Sequence, residues 1–286
     1  MPAFGRARVA AYPGTVSEPD QFEPRPVEPS PIVPLPPPPP HVDDRAGEVD
    51  APAGERPVRW GLGDVLLGWV IAQVGGIFAF GIVVALTGVD ADSTDDLSLG
   101  WIAVAQVGLW AGLLGVPWFA ARVKGNGLVR DFGLRIQGRD TLVGTGVGLA
   151  TQFVLIPLIY LPIFTLFDVT SEELEEPARG LTDRATDPVG IILLVLIVGL
   201  AAPVIEEIFY RGLVLRSLEN RIGVWPAIIG SAVIFGASHF QGLQFPALTA
   251  LGIVLAYVTH RTGRLGPAIV AHMAFNLVTV VFLVTS

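Results

Sequence analysis

From Gly61 onward, long apolar runs alternate with short polar stretches, and most runs approach the ~20 residues that an α-helix needs to cross a bilayer. Seven runs predict seven spans, at 64–86, 99–121, 141–167, 189–213, 224–240, 245–259 and 266–284. The fifth and sixth are short. The weak polar break at Gln241 to Gln244 between them reads as a tight turn or a re-entrant bend, which leaves the count at seven or eight. The pattern therefore predicts an all-α fold, a polytopic transmembrane helical bundle over residues 59–286. Glycines four apart, Gly108 with Gly112 and Gly144 with Gly148, predict close helix approach, because packing drives association in lipid. Tryptophans near the run ends read as interfacial anchors.

Residues 1–58 have a different pattern. They hold 15 of the 24 prolines, including the run Pro36 to Pro40, with few aromatics and no helical period, which predicts a disordered tail. Pro31 and Pro34 have the PxxP spacing of a ligand for an aromatic groove, and a spacer explains them equally well. A soluble partner of the tail is the functional form of that reading.

Composition sharpens the membrane reading. Of the 286 residues 51% are hydrophobic and only 15% charged, which excludes an ordinary soluble domain. The net charge of −8 is segregated along the chain and gives no reason to expect a nucleic-acid partner. Arginines and lysines fill alternate loops, at Arg56 and Arg59, at Arg122, Lys124, Arg130, Arg135 and Arg139, at Arg211, Arg216 and Arg221, and at Arg261 and Arg264. The intervening loops are acidic. By the positive-inside rule the N-terminal tail is expected in the cytoplasm. With no cysteine, thiolate metal sites and disulfides are unavailable.

Ionisable groups inside apolar runs are the candidate chemistry, since charge in hydrocarbon is functional by default. Glu206, Glu207 and Arg211 follow an almost unbroken apolar run from Ile191 to Val204. Glu207 and Arg211 are four apart, the favoured acid-to-base order on one helical face, so they are expected to pair. Glu206 lies ~100° round the helix and is left free to act. His239 follows Phe235, and His272 and Asn276 share a face of the last span. If the fourth and fifth runs form a hairpin about Ile222 and Gly223, Glu206 and His239 both lie ~25 Å from the bend. The four groups are thus expected at one depth, in a cavity opening toward the cytoplasm.

Glu206-Glu207-Ile-Phe-Tyr-Arg211, Phe235-Gly-Ala-Ser-His239 and His272-Met-Ala-Phe-Asn276 resemble the EExxxR, FxxxH and HxxxN motifs of the CAAX prenyl protease and bacteriocin-processing family. The resemblance covers residues 187–284, extends to the RTG turn within Tyr257 to Pro267, and includes Asp131 to Arg135 more loosely. It implies an intramembrane endopeptidase acting on a membrane-associated protein or peptide, in a multi-pass prokaryotic cell membrane. Carried onto this chain, Glu206 is the base acting on a water beside His239, His272 and Asn276 stabilise the oxyanion, and Glu207, Arg211 and Phe235 support them.

Two other function classes use the same residues. A proton-coupled transporter also builds relays from intramembrane Glu and His, but no internal repeat accompanies them here. A non-catalytic scaffold would recruit its partner through the tail. For the protease, a mechanism without a cofactor is expected, with a zinc ion held by Glu206, His239 and His272 as the rival.

Overall fold

A computed structural model of the protein describes residues 56–90, 97–167 and 169–285. Among them there is no strand, and seven apolar helices stand where the apolar runs predict. They are α1 (Leu62–Thr87), α2 (Leu99–Lys124), α4 (Gly138–Leu166), α6 (Pro188–Ile222), α7 (Val224–Ala237), α8 (Phe245–Thr262) and α9 (Gly266–Thr285). A one-turn α3 (Leu128–Asp131) and an amphipathic α5 (Ser171–Thr182) complete the order. Five of these helices, α1, α2, α4, α6 and α9, are long and apolar enough to cross a membrane. At 14 residues α7 extends ~21 Å, short of the ~30 Å hydrocarbon thickness. Of the tail reading, only residues 56–58 fall within the described part of the chain.

Small residues set the helix spacing, as the glycine pattern predicts. A Cβ on Gly112 would meet the backbone of Ala72 in α1, and one on Gly75 would strike the Gly108 carbonyl. The same device brings α4 onto α9, where Gly144 lies against Val270 and Gly148 against the Ala271 carbonyl. Only hydrogen fits at these crossings. They fix the position of α9, and so of the chemistry it carries.

Trp60 departs from the anchoring expectation. It is buried, donates from Nε1 to Asp131 at 3.1 Å and packs edge-on against Phe132 at 5.0 Å. The chain entering α1 is held there as well, since the Arg59 N–H donates to the Lys124 carbonyl at 2.8 Å. Phe132 in turn is packed against Gly212 of α6. Gly133, at φ 69°, accepts the Leu265 N–H at 2.9 Å, so the Asp131 to Arg135 loop rests on the turn between α8 and α9.

The tip joining α7 to α8 is anchored at its far end. Tyr160 of α4 donates its hydroxyl to the Leu243 carbonyl at 2.6 Å, and Gln244 donates to the Leu174 carbonyl of α5 at 2.9 Å. Between tip, α4, α5 and the second half of α9 lies a cavity of about 860 Å³, lined by Gln152, Tyr160, Leu174, Gln244, Phe275 and Phe282 among others. It is a different space from the expected cavity shared by Glu206, His239, His272 and Asn276 on the arginine-bearing side. The cavity occupies the other half of the bundle, because α7 stops short and α5 roofs the space, and none of the four candidate side chains lines it.

Candidate active site

The largest fully buried side chain in the described protein is a charged one, Arg211. Its Nη1 donates to Glu207 Oε1 at 2.8 Å, as the four-residue spacing predicts, and both side chains are 0% exposed. Nη2 donates to the Gly252 carbonyl of α8 at 3.3 Å, and the guanidinium lies 4.4 Å from the centre of the Phe235 ring. A cation buried in this way is tolerated because an anion, a carbonyl and an aromatic face replace water.

Glu207 Oε1 has a second donor, His272 Nδ1, at 3.0 Å. A carboxylate can only accept, so this nitrogen carries hydrogen and Nε2 becomes the free one. It faces Glu206, whose Oε2 is 3.8 Å away. That separation exceeds a hydrogen bond and lies within reach of one bridging water. Glu206 is 18% exposed against 0% for Glu207, so the neighbouring acids are divided between an open and a sealed position.

His239 stands differently from the helical expectation. Helix α7 ends at Ala237, and His239 lies in the turn that follows, ahead of Phe240 at φ 55°. Carbonyls in a last helical turn lack N–H partners, and two side chains cap the one on Phe235. Ser238 Oγ and His239 Nδ1 each donate to it at 2.8 Å. The carbonyl fixes the tautomer, leaving the Nε2 lone pair of His239 open. No hydrogen bond or ion pair joins His239 to either glutamate, so the facing pair expected from hairpin arithmetic is Glu206 with His272 instead. The arithmetic treats α7 as helical through Phe240, and the capped end removes that premise. Both imidazoles nevertheless meet the buried Phe235 ring edge-on, His239 at 4.8 Å and His272 at 5.7 Å between centres.

Asn276 is held against α6 at a defect in that helix. The helix widens to π-type bonding over Val195–Ala201, where the Ala202 N–H reaches back five residues to the Ile197 carbonyl. In that register the donor for the Val198 carbonyl would be Pro203, which has no N–H. Asn276 Nδ2 takes the place, donating to Val198 at 2.9 Å. Asn276→Leu is expected to cost about 1–3 kcal/mol by stranding that carbonyl. Pro203→Ala in the same chain restores a backbone donor and should recover much of the loss, read as thermal unfolding in one detergent. Equal unfolding of the single and double variants would show that the carbonyl is not the cause.

Sequence reasoning missed Tyr210, Ser238, Val198 and Gly252. Tyr210 donates to Ser238 Oγ at 2.6 Å, once Ser238 gives its own hydrogen to Phe235, and extends the network that holds the histidine turn. Its place between Glu207 and Arg211 was the available signal, since a tyrosine fully buried in a span needs a hydroxyl partner. The two backbone carbonyls leave no trace in residue identity.

Among the described residues no three His, Asp or Glu side chains converge as a metal-binding group. Glu206 Oε2 and His272 Nε2 approach each other at 3.8 Å, while His239 Nδ1 is engaged by the Phe235 carbonyl.

Residues 188–278 match the family model described as type II CAAX prenyl endopeptidase Rce1-like. An 89-residue stretch, 31% of this chain, is 29% identical to a Bacillus subtilis (strain 168) protein named "Putative membrane peptidase YdiL", of which it covers 36%. No solved structure matches. Every side chain of the site described above comes from α6 to α9, and residues 188–278, which span those helices, are the part of the chain that is similar to the Rce1-like model.

Proposed function

We propose that the protein is an intramembrane endopeptidase that hydrolyses a peptide bond in a membrane-associated protein or peptide. Glu206 is the general base and takes a proton from water, with the free Nε2 of His239 as a further acceptor for that water. The hydroxyl oxygen attacks the scissile carbonyl carbon, and the negative charge that develops on its oxygen is met by donors. His272 supplies one from Nε2 in the form in which both ring nitrogens carry hydrogen. The second amide hydrogen of Asn276 supplies the other. The C–N bond then breaks, and Glu206 returns its proton to the leaving amine. The protein acts in the cell membrane, with the tail and the arginine-bearing loops in the cytoplasm.

One observation carries this reading: the partly open Glu206 faces an imidazole whose other nitrogen is held on a sealed Glu207–Arg211 pair. Two adjacent carboxylates in unlike surroundings are what a base and its support require. The test is hydrolysis in H₂¹⁸O. Full-length protein in vesicles with membrane proteins from its host should generate new C-termini bearing one ¹⁸O, absent with Glu206→Gln. A transporter or scaffold would yield no labelled terminus, and that result would overturn the proposal.

A further inference from the structure

Three helix ends meet on the arginine-bearing side of the bundle. Helix α4 begins at Gly138, α9 begins at Gly266 and α8 ends at Thr262, and between them lies a cavity of about 410 Å³. Arg139, Arg261 and Arg264 line it with Asp140, Val143, Thr262 and Pro267. Only one of the three cations is engaged by a carboxylate. Arg264 grips Asp140 with two bonds, Nη1 to Oδ2 at 2.6 Å and Nη2 to Oδ1 at 2.9 Å. Asp140 also accepts the Gln137 N–H at 2.8 Å, and its side chain is only 2% exposed, so it is spent as a structural anion.

Arg139 and Arg261 are exposed and make no hydrogen bond or ion pair with any described residue. Three positive charges against one negative leave the cavity net positive. Its depth is fixed by the helix ends, which place it where the apolar spans stop and lipid phosphates lie. The adjoining face of α4 is apolar and open, with Leu142 at 81% and Val143 at 50% exposure. A cationic recess above an apolar helix face matches an amphiphile with an anionic head and hydrocarbon chains.

We propose that this recess is a binding site for the phosphate headgroup of an anionic phospholipid, clasped by Arg139 and Arg261 with acyl chains along Leu142 and Val143. Arg264 shapes the site through Asp140 and is not the clasp. A volume that would hold about a dozen waters accepts a phosphate with its glycerol. Arginine suits this role, because its planar fork binds phosphate oxygens in pairs. The site is separate from the glutamate–histidine cluster and does not depend on the protein being a peptidase.

The test is lipid retention by native mass spectrometry of the full chain released from nanodiscs of phosphatidylglycerol and phosphatidylcholine. Wild type should retain phosphatidylglycerol in preference to phosphatidylcholine. The double variant Arg139→Gln/Arg261→Gln should lose about 30-fold in that affinity, equivalent to about 2 kcal/mol at 1.4 kcal/mol per tenfold. Arg122→Gln/Arg130→Gln, which removes the same charge from the same side, should leave it unchanged. Equal loss in both double variants would reduce the effect to general surface charge and overturn the site. So would retention of phosphatidylcholine equal to that of phosphatidylglycerol, or unchanged binding in Arg139→Gln/Arg261→Gln. Displacement of bound phosphatidylglycerol by millimolar inorganic phosphate would assign the recess to a soluble phosphate and overturn the lipid reading.

Discussion

Glu206→Gln is expected to lower hydrolysis by about 10²–10⁴-fold, the usual contribution of a positioned general base, equivalent to about 3–5 kcal/mol of transition-state stabilisation. Glutamine keeps the shape of the side chain and removes its capacity to take a proton. The fold should not register the change, because Glu206 is only partly buried and His272 Nε2 is 3.8 Å away, too far for a direct hydrogen bond. Thermal unfolding should move by less than about 0.5 kcal/mol, as for a substitution that breaks no buried contact. Glu207 offers the contrast, since its substitution should lower activity and stability together. The measurement is turnover of one labelled membrane substrate, wild type against variant, at matched folded protein. Turnover within tenfold of wild type would remove Glu206 from the role of base.

The sequence allowed the site to be read where chemistry depends on spacing within one helix. Glu207 with Arg211 is such a case, and so are the glycines that bring α1 onto α2 and α4 onto α9, since a four-residue interval fixes a shared face without knowledge of the rest. The apolar runs predicted every apolar helix within two or three residues at most ends, though length alone could not tell a crossing helix from the shorter α7. What escaped depends on rotation and on backbone register. Whether His272 turns its Nδ1 to Glu207 or to Glu206 is decided by how α9 seats on α6, which no interval within α9 encodes. The contact between Asn276 and Val198 exists because a π-type turn moves the hydrogen-bond register by one residue onto a proline. A proline is visible in sequence, but the widened turn is not. His239 was misplaced for a related reason. Its own ring helps end the helix that was assumed to carry it, so the side chain read as a passenger of α7 is part of what terminates it.

Arg211→Ala is expected to give the largest loss of stability, about 3–5 kcal/mol, because it strands an uncompensated charge in the core. Glu207 Oε2 already has no partner, so removing Nη1 from Oε1 leaves His272 as the one donor to a carboxylate at 0% exposure. The Gly252 carbonyl loses the guanidinium as a donor, and the Phe235 face loses the cation at 4.4 Å. Arg211→Lys should not repair this, since one ammonium cannot serve the carboxylate, the carbonyl and the ring together. The double variant Glu207→Leu/Arg211→Met, which exchanges the ion pair for apolar volume, should recover most of the stability, as replaced buried pairs do. Hydrolysis should not recover with it. Without Glu207 the His272 ring has no acceptor to hold hydrogen on Nδ1, and the identity of the nitrogen facing Glu206 is no longer fixed. Unfolding of the four proteins in one detergent gives the coupling between the two residues, and turnover of the same samples gives the activity. A cost below about 1 kcal/mol for Arg211→Ala would mean that water reaches Glu207, and full activity in the double variant would mean that His272 needs no carboxylate behind it. The pair is therefore worth less as a source of stability than as the fixed point from which His272 is aimed.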